Sequence, residues 1–230
     1  MIANAQTFWL ENLKLANRYN GWIFSQILPS LGQEVLEIGC GNGNFTVLLA
    51  QQCSRVVAVD LDREYVRAAK SRLAGKAGVK VLHADATQMQ WRSSFDTVVM
   101  LDVLEHIQDD VQMLRSLSDC LKPQGKLIVK VPALEWLYSP MDEVIGHYRR
   151  YNKNTLNKSF RKADFSNPSM WYFNIAGIPG WWLNGKVLSR TQPPAEQVGL
   201  FNNLVPILSF TESIVKPPIG LSLFAVATKI

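Results

Sequence analysis

Glu37-Ile38-Gly39-Cys40-Gly41-Asn42-Gly43-Asn44 sets three glycines at alternate positions, beginning two residues after a carboxylate. Glycine permits positive φ and lets a ligand approach the main chain, so such a turn between a strand and a helix suits a bound small molecule. The spacing is G-x-G-x-G, with Asn44 where a dinucleotide-binding turn carries its third glycine or alanine. The charge of Glu37 would repel a pyrophosphate at the helix N-terminus; it would attract a cation, or hold the loop through backbone N–H groups. The G-x-x-x-x-G-K-[ST] pattern of phosphate-binding loops is absent. Asp60 closes Val56-Val57-Ala58-Val59-Asp60, and Asp85 follows His83-Ala84, each at the end of an apolar run. An acid ending the second strand of a doubly wound sheet faces the ligand crevice and can accept both ribose hydroxyls. Three acids on one rim indicate a nucleoside without a phosphate.

A second set of residues could move protons or hold an ion. His106 and His147 are candidates for a general base, and each also suits a hydrogen bond that fastens a loop. His83 falls inside a strand-like run and reads as structural. Asp102, Glu105 and His106 have the i, i+3, i+4 spacing that would put three ligand-type groups on one helical face. From Gly146 to Lys162 the chain carries Arg149, Arg150, Lys153, Lys158, Arg161 and Lys162 with no acid between them. The helical half of this run reads as a solvated face, whereas the loop residues Arg149 and Arg150 read as an anion site. Tyr148 and Tyr151 interleave with the cations, a pattern that also suits single-stranded RNA.

These residues need a scaffold, and the pattern supplies one. Apolar, mostly β-branched runs at Glu34–Ile38, Arg55–Asp60, Val79–Ala84, Phe95–Leu101 and Lys126–Val131 read as strands buried on both faces. Helical spacing at Asn44–Gln52, Asp62–Ala74 and Glu105–Leu121 lies between them, with Lys122-Pro123-Gln124-Gly125 as a stop and turn. Strand–helix alternation predicts an α/β fold: a doubly wound, mainly parallel seven-stranded sheet with helices on both faces. A helix near Lys153–Lys162, strands at Ser169–Asn174 and Leu221–Lys229, and an apolar helical stretch near Leu200–Val215 complete it. The last two strands are expected to form an antiparallel edge hairpin. The chain thus reads as one domain: a helical cap over 1–30, a core over 31–131, and an acceptor-side region over 132–230. An aromatic insertion over about 175–218 includes Trp181 and Trp182.

Over roughly residues 15–165 the sequence resembles the class I S-adenosylmethionine-dependent methyltransferases. The stretches VLEIGCGNGNFT, VVAVDLD, HADATQM, FDTVVMLDVLEHI and LKPQGKLIVKVP carry the likeness, in order and at the family's spacing. The resemblance implies S-adenosyl-L-methionine as cofactor. It places Glu37, Gly39, Gly41 and Gly43 around the methionine moiety, with Cys40 also cofactor-binding, and Asp60 on the ribose with Leu61 against the adenine. Asp85 would meet the adenine amino group beside Ala86, and Leu101 and Asp102 would lie near the sulfonium. Asn17-Arg18-Tyr19-Asn20 looks like the element that closes over the methionine end. Asp102, Glu105, His106 and a distant His147 also resemble the divalent-metal constellation of some RNA-end and ubiquinone-type O-methyltransferases, but with Asp102 where those tend to have Glu. No metal is expected.

Composition agrees with an enzyme domain. At 230 residues, 47% hydrophobic and 19% charged, the chain can bury a full core and is neither disordered nor collagen-like. A net charge of +5 allows an anionic partner but is low for a duplex-DNA binder. Three cysteines without C-x-x-C spacing fit a reducing compartment. No apolar run reaches ~18 residues and no leader pattern opens the sequence, so a cytoplasmic protein is expected. The trailing aromatic segment suggests a small apolar or aromatic methyl acceptor, with peripheral membrane contact or a dimer interface as further uses. RNA-end or quinone/lipid methylation, and a non-catalytic nucleoside-binding module, are the other readings; the oligomeric state is left open.

Overall fold

The computed structural model describes residues 16–88 and 91–230. Helix α1 (Asn17–Ile27) leads through a 3-10 turn into β1 (Glu34–Ile38), and α2 (Asn44–Gln52), β2 (Arg55–Asp60), α3 (Arg63–Arg72) and β3 (Val79–His83) follow. Then come β4 (Phe95–Leu101), α4 (Asp110–Cys120), β5 (Leu121–Pro132), α5 (Pro140–Ile145) and α6 (Lys153–Lys162). The chain continues through β6 (Ser169–Phe173), α7 (Gly177–Trp181), a π-helical stretch (Trp182–Val187), α8 (Ala195–Ile214) and β7 (Ser222–Thr228). The part of the expected N-terminal helix before Ala16, with Phe8, Trp9 and Leu13, lies outside the described residues.

The sheet runs β3-β2-β1-β4-β5-β7-β6, parallel through β5 and antiparallel at β7 and β6. Alternate strand residues feed opposite faces. Leu36, Ile38, Val57, Val59, Val98 and Met100 pack with Met113, Leu114 and Leu117 of α4 and Phe160 of α6. Val35, Val56, Val99 and Ile128 pack with Ile23 and Ile27 of α1, Leu49 of α2 and Val205 of α8. Each such fully buried side chain contributes roughly 1.5–3 kcal/mol of transfer free energy, and two-sided burial explains why these strands read as unbroken apolar runs.

Two expectations are corrected. No α-helix starts at Glu105: Asp102 has φ 55°, a 3-10 turn covers Leu104–His106, and α4 begins at Asp110. The left-handed Asp102 breaks the helical path, and the Asp109 side chain caps α4 by accepting from the Gln112 N–H. Asp102, Glu105 and His106 therefore do not share a helical face. The fifth strand is also longer than expected, beginning at Leu121 with a register shift opposite Phe95/Thr97. Cys40, Cys53 and Cys120 are free thiols, and no described helix is long and apolar enough to cross a membrane.

Candidate active site

The carboxyl ends of the parallel strands open on a cavity of about 730 Å³. On the β1–β2–β3 side its wall is largely main chain. Gly39, Gly41 and Gly43 have φ of 72°, 53° and 81°. A Cβ on Gly39 would lie 2.3 Å from Val103 Cγ2, so strand-loop contact as well as φ requires glycine there. The Gly41 N–H donates to Asp60 Oδ2 at 2.8 Å and the Asp62 N–H to Asp60 Oδ1 at 2.9 Å, which aims the Asp60 carboxylate at the rim. Burial raises the pKa of Asp60. Asp85 accepts from the N–H and hydroxyl of Thr87 and from the Gln88 amide, and lines the same cavity with Ala84 and Ala86. Leu61 lines it too, with 65% of its surface exposed.

Tyr19, Gly39, Cys40, Gly41, Asp60, Leu61, Asp85, Ala86, Leu101, Asp102, His106 and His147 all line this one cavity. Glu37 and Gly43 stand back from it. The Glu37 carboxylate is buried beneath the loop, where Oε2 accepts from Thr46 Oγ1 at 2.6 Å, and burial, helped by nearby Asp60, pushes its pKa up to about 8. Gly43 is the residue before α2, and a Cβ there would meet Ala69 of α3. Cys40 is buried, and burial pushes its thiol well above the ordinary range, so it is no nucleophile.

The opposite wall is built from side chains. The His147 ring lies with Nδ1 2.9 Å from Asp142 Oδ1, which also accepts from Arg150 Nε at 2.8 Å. Burial pushes Asp142 up, but the bond to His147 and the Arg150 guanidinium outweigh it and hold its pKa below the ordinary value. A carboxylate on Nδ1 makes that nitrogen the donor and leaves Nε2 as the basic one. Nε2 lies 3.7 Å from Oε1 of the fully buried Glu105. Burial, and then Asp102, raises the Glu105 pKa, and among the described residues neither of its oxygens has a hydrogen-bond partner. The Tyr148 N–H donates to the Glu105 carbonyl at 2.8 Å, fastening the His147 loop to the turn after β4. The His106 ring packs edge-on to His147 with centroids 4.7 Å apart, and its Nδ1 lies 3.3 Å from the Gly146 carbonyl. Burial lowers the His106 pKa to about 4, so it is neutral at pH 7.

Arg149 and Arg150 do not form a free anion site. Arg150 is buried, donating to Asp142 and to the Ala133 carbonyl and lying 4.4 Å over the Trp181 ring. Arg149 donates to the Gln108 carbonyl and sits 3.5 Å from Asp110. Trp181 lines the cavity, while Trp182 is exposed. His83 is exposed at the end of β3, with Nε2 2.9 Å from the Leu61 carbonyl, a loop-fixing contact.

Sequence reasoning missed Lys130 and Asn174. Lys130 Nζ lies 2.6 Å from Asp102 Oδ1 and is buried in β5. Burial lowers the pKa of its ammonium, but Asp102 more than offsets this and the pKa is raised. The signal was available: one lysine inside the apolar run Leu127–Val131 needs a carboxylate partner. Asn174, at φ 64°, donates from Nδ2 to the Tyr19 hydroxyl at 3.3 Å, across a sequence separation that no local pattern reveals.

The arrangement fits a cationic nucleoside derivative better than a nucleotide. The lining cations Lys130 and Arg150 are each paired with a carboxylate. That leaves the Asp60 and Asp85 oxygens as acceptors at the rim, where a phosphate would be repelled.

Comparison with known proteins points the same way. Residues 36–129 match the model of a methyltransferase domain. The chain is 29% identical over 156 residues to a demethylmenaquinone methyltransferase of Clavibacter sepedonicus, covering 67% of this chain and 62% of that protein. It is 33% identical over 106 residues to a ubiquinone biosynthesis O-methyltransferase of Xanthomonas euvesicatoria pv. vesicatoria, covering 44% of each. The chain thus matches only part of the length of these relatives. The crystal structure of an S-adenosylmethionine-dependent methyltransferase from Mesorhizobium loti has the same fold, with a TM-score of 0.64 at 15% identity over 90% of this chain and 96% of that one.

Proposed function

Since the chain carries a class I S-adenosylmethionine-dependent methyltransferase domain, we propose that it methylates a small apolar, aromatic acceptor at a hydroxyl oxygen, with His147 as the general base. S-adenosylmethionine, when bound, would supply a sulfonium methyl group whose carbon the acceptor oxygen attacks in line, the methyl–sulfur bond breaking as the sulfur leaves as a neutral thioether. Asp60 would accept the ribose hydroxyls, Leu61 and Ala86 would flank the adenine, and Asp85 would meet its amino group. Main chain at Gly39, Cys40 and Gly41 would hold the methionine end, with Glu37 and Gly43 shaping the loop beneath and behind it. Leu101, Asp102 and Tyr19 would close the donor end, Asp102 being held by Lys130.

The observation that carries this reading is the Asp142–His147 contact at 2.9 Å on a residue lining the cavity. Asp142 fixes the tautomer and stabilises the imidazolium formed when Nε2 takes the hydroxyl proton. Trp181, Ile107, Ile145, Val198, Phe201 and Leu221 make the surrounding lining apolar, which suits an aromatic acceptor and excludes water from the transfer. The quinone-related names of two relatives support the same acceptor class. The test is transfer of labelled methyl from S-adenosylmethionine to a panel of apolar phenols and quinols, alkyl amines and short RNA. Label is expected on phenolic oxygen; label confined to amines or RNA would contradict the reading, and binding without any transfer would favour a nucleoside-binding module.

One observation favours a second reading. Glu105, His106 and His147 bring three ligand atoms within 4.8 Å of one another, and the Glu105 oxygens lack hydrogen-bond partners among the described residues. These residues would suit a divalent cation, which would act as a Lewis acid on the acceptor hydroxyl. Dialysis against a chelator separates the two: activity that survives it supports the base alone, and activity lost and restored by the cation supports the metal.

A further inference from the structure

Helix α8 is apolar on two opposite sides, and only one is covered. Phe201, Val205 and Leu208 turn inward to the packed layer over the sheet. On the other side Leu200, Leu204, Ile207, Phe210 and Ile214 recur at helical spacing and are between 44% and 68% exposed. Nothing among the described residues covers them, and such a continuous stripe marks a surface that meets something.

Charge indicates what that is. The helix carries two carboxylates: Glu196, exposed in the first turn one turn before Leu200, and Glu212, turned inward and accepting from the N–H groups of Asn174 and Ile175 at 3.0 and 2.8 Å, so from Leu200 to Ile214 the outer side holds no acid. Cations flank the stripe. Arg18 Nη1 lies 3.5 Å from Asn203 Oδ1, and Asn203 stands on the same helical side as Leu200 and Ile207. Lys216 follows Ile214 by two residues and is exposed. A second copy of this +5 chain would bring like charges together, whereas an anionic bilayer presents the opposite sign to the same flanking groups.

We infer that the outer face of α8 docks on an anionic lipid surface, with the five apolar side chains entering the headgroup–acyl boundary and Arg18 and Lys216 meeting lipid phosphates. The first turns of the same helix send Val198, Phe201 and Asn202 to the cavity wall, so the docked element also borders the space assigned to the acceptor. The docking itself rests on the exposed face, not on the identity of the acceptor.

The test is flotation of the full chain with vesicles of phosphatidylcholine alone and with about one third phosphatidylglycerol, without cofactor or acceptor. Binding is expected on the anionic vesicles, weaker by about tenfold on the neutral ones and weakened by high salt. Ile207→Glu with Phe210→Glu should lower the partition by at least about tenfold, with thermal midpoint and S-adenosylmethionine binding unchanged. Leu204→Ser with Ile214→Ser is the second pair should the first fail to fold. Absence of vesicle binding, binding that ignores both pairs, or a dimer in sedimentation that either pair dissolves in place of vesicle binding would each overturn the proposal. Since no methyl transfer is read, its failure is distinguishable from failure of the acceptor assignment.

Discussion

The glycine–aspartate rim and the histidine wall face one cavity but are assembled from different material. The rim comes from residues at the ends of neighbouring parallel strands, with Gly41, Asp60 and Asp62 tied together by backbone N–H groups donating to one carboxylate. The wall gathers side chains from Glu105, Asp142, His147, Arg150 and Trp181, joined by the buried Arg150–Asp142 ion pair, the contacts of the His147 ring with Asp142 and Glu105, and the Arg150–Trp181 contact. A main-chain site tolerates change in most side chains but not in backbone conformation. A buried polar network behaves in the opposite way, because each member leaves another unsatisfied when it is removed.

That contrast predicts separable defects. His147→Ala should lower kcat by about 10²- to 10⁴-fold, the usual worth of a positioned base, while cofactor affinity measured by equilibrium dialysis stays at the wild-type value. An equal loss of both would erase the division between rim and wall. Asp142→Asn should cost less in rate, about ten- to a hundredfold, but more in stability, since buried Arg150 loses its charge partner; roughly 3–5 kcal/mol is expected in chemical denaturation. Gly39→Ala should do the reverse, weakening the cofactor and destabilising by about 1–3 kcal/mol through positive φ and the Val103 contact, with kcat at saturating cofactor little changed.

The smallest effect concerns pH. Glu37 has a folded pKa of about 8 against an ordinary 4.5, so the folded chain keeps a proton that the unfolded chain releases between those values. The stability tied to that proton is fully present below the unfolded pKa and is lost as pH rises to about 8. Thermal midpoints of the cofactor-free protein should therefore fall across that window, and Glu37→Gln, which has no proton to lose, should remove its share of the fall. An identical profile in the variant would mean that Glu37 ionises freely and is not held neutral beneath the loop.

The rim was legible in the sequence because its geometry is local: glycines at fixed offsets from a strand end, and an acid closing each following strand. The wall was legible only as a set of residue types. His106 and His147 could be named, but Asp142, the partner that orients His147, lies in a separate helix turn with no periodic signal. Asp102 misled the reading for a physical reason. Its i, i+3, i+4 spacing to Glu105 and His106 has meaning only on a helix, and the left-handed conformation at Asp102, tied to Lys130 on the neighbouring strand, is a tertiary effect. Arg149 and Arg150 misled in the same way: a run of like charge says nothing of the carbonyls and carboxylates, distant in sequence, that occupy them.

Calorimetric titration of S-adenosylmethionine into the wild type, Asp60→Ala and His147→Ala tests the central assignment most directly. One molecule per chain is predicted, with affinity at least about tenfold weaker in Asp60→Ala, which would remove the two charge-assisted hydrogen bonds proposed to the ribose, and unaltered in His147→Ala. No binding by the wild type, or full affinity in Asp60→Ala, would contradict the placement of the donor on the aspartate rim.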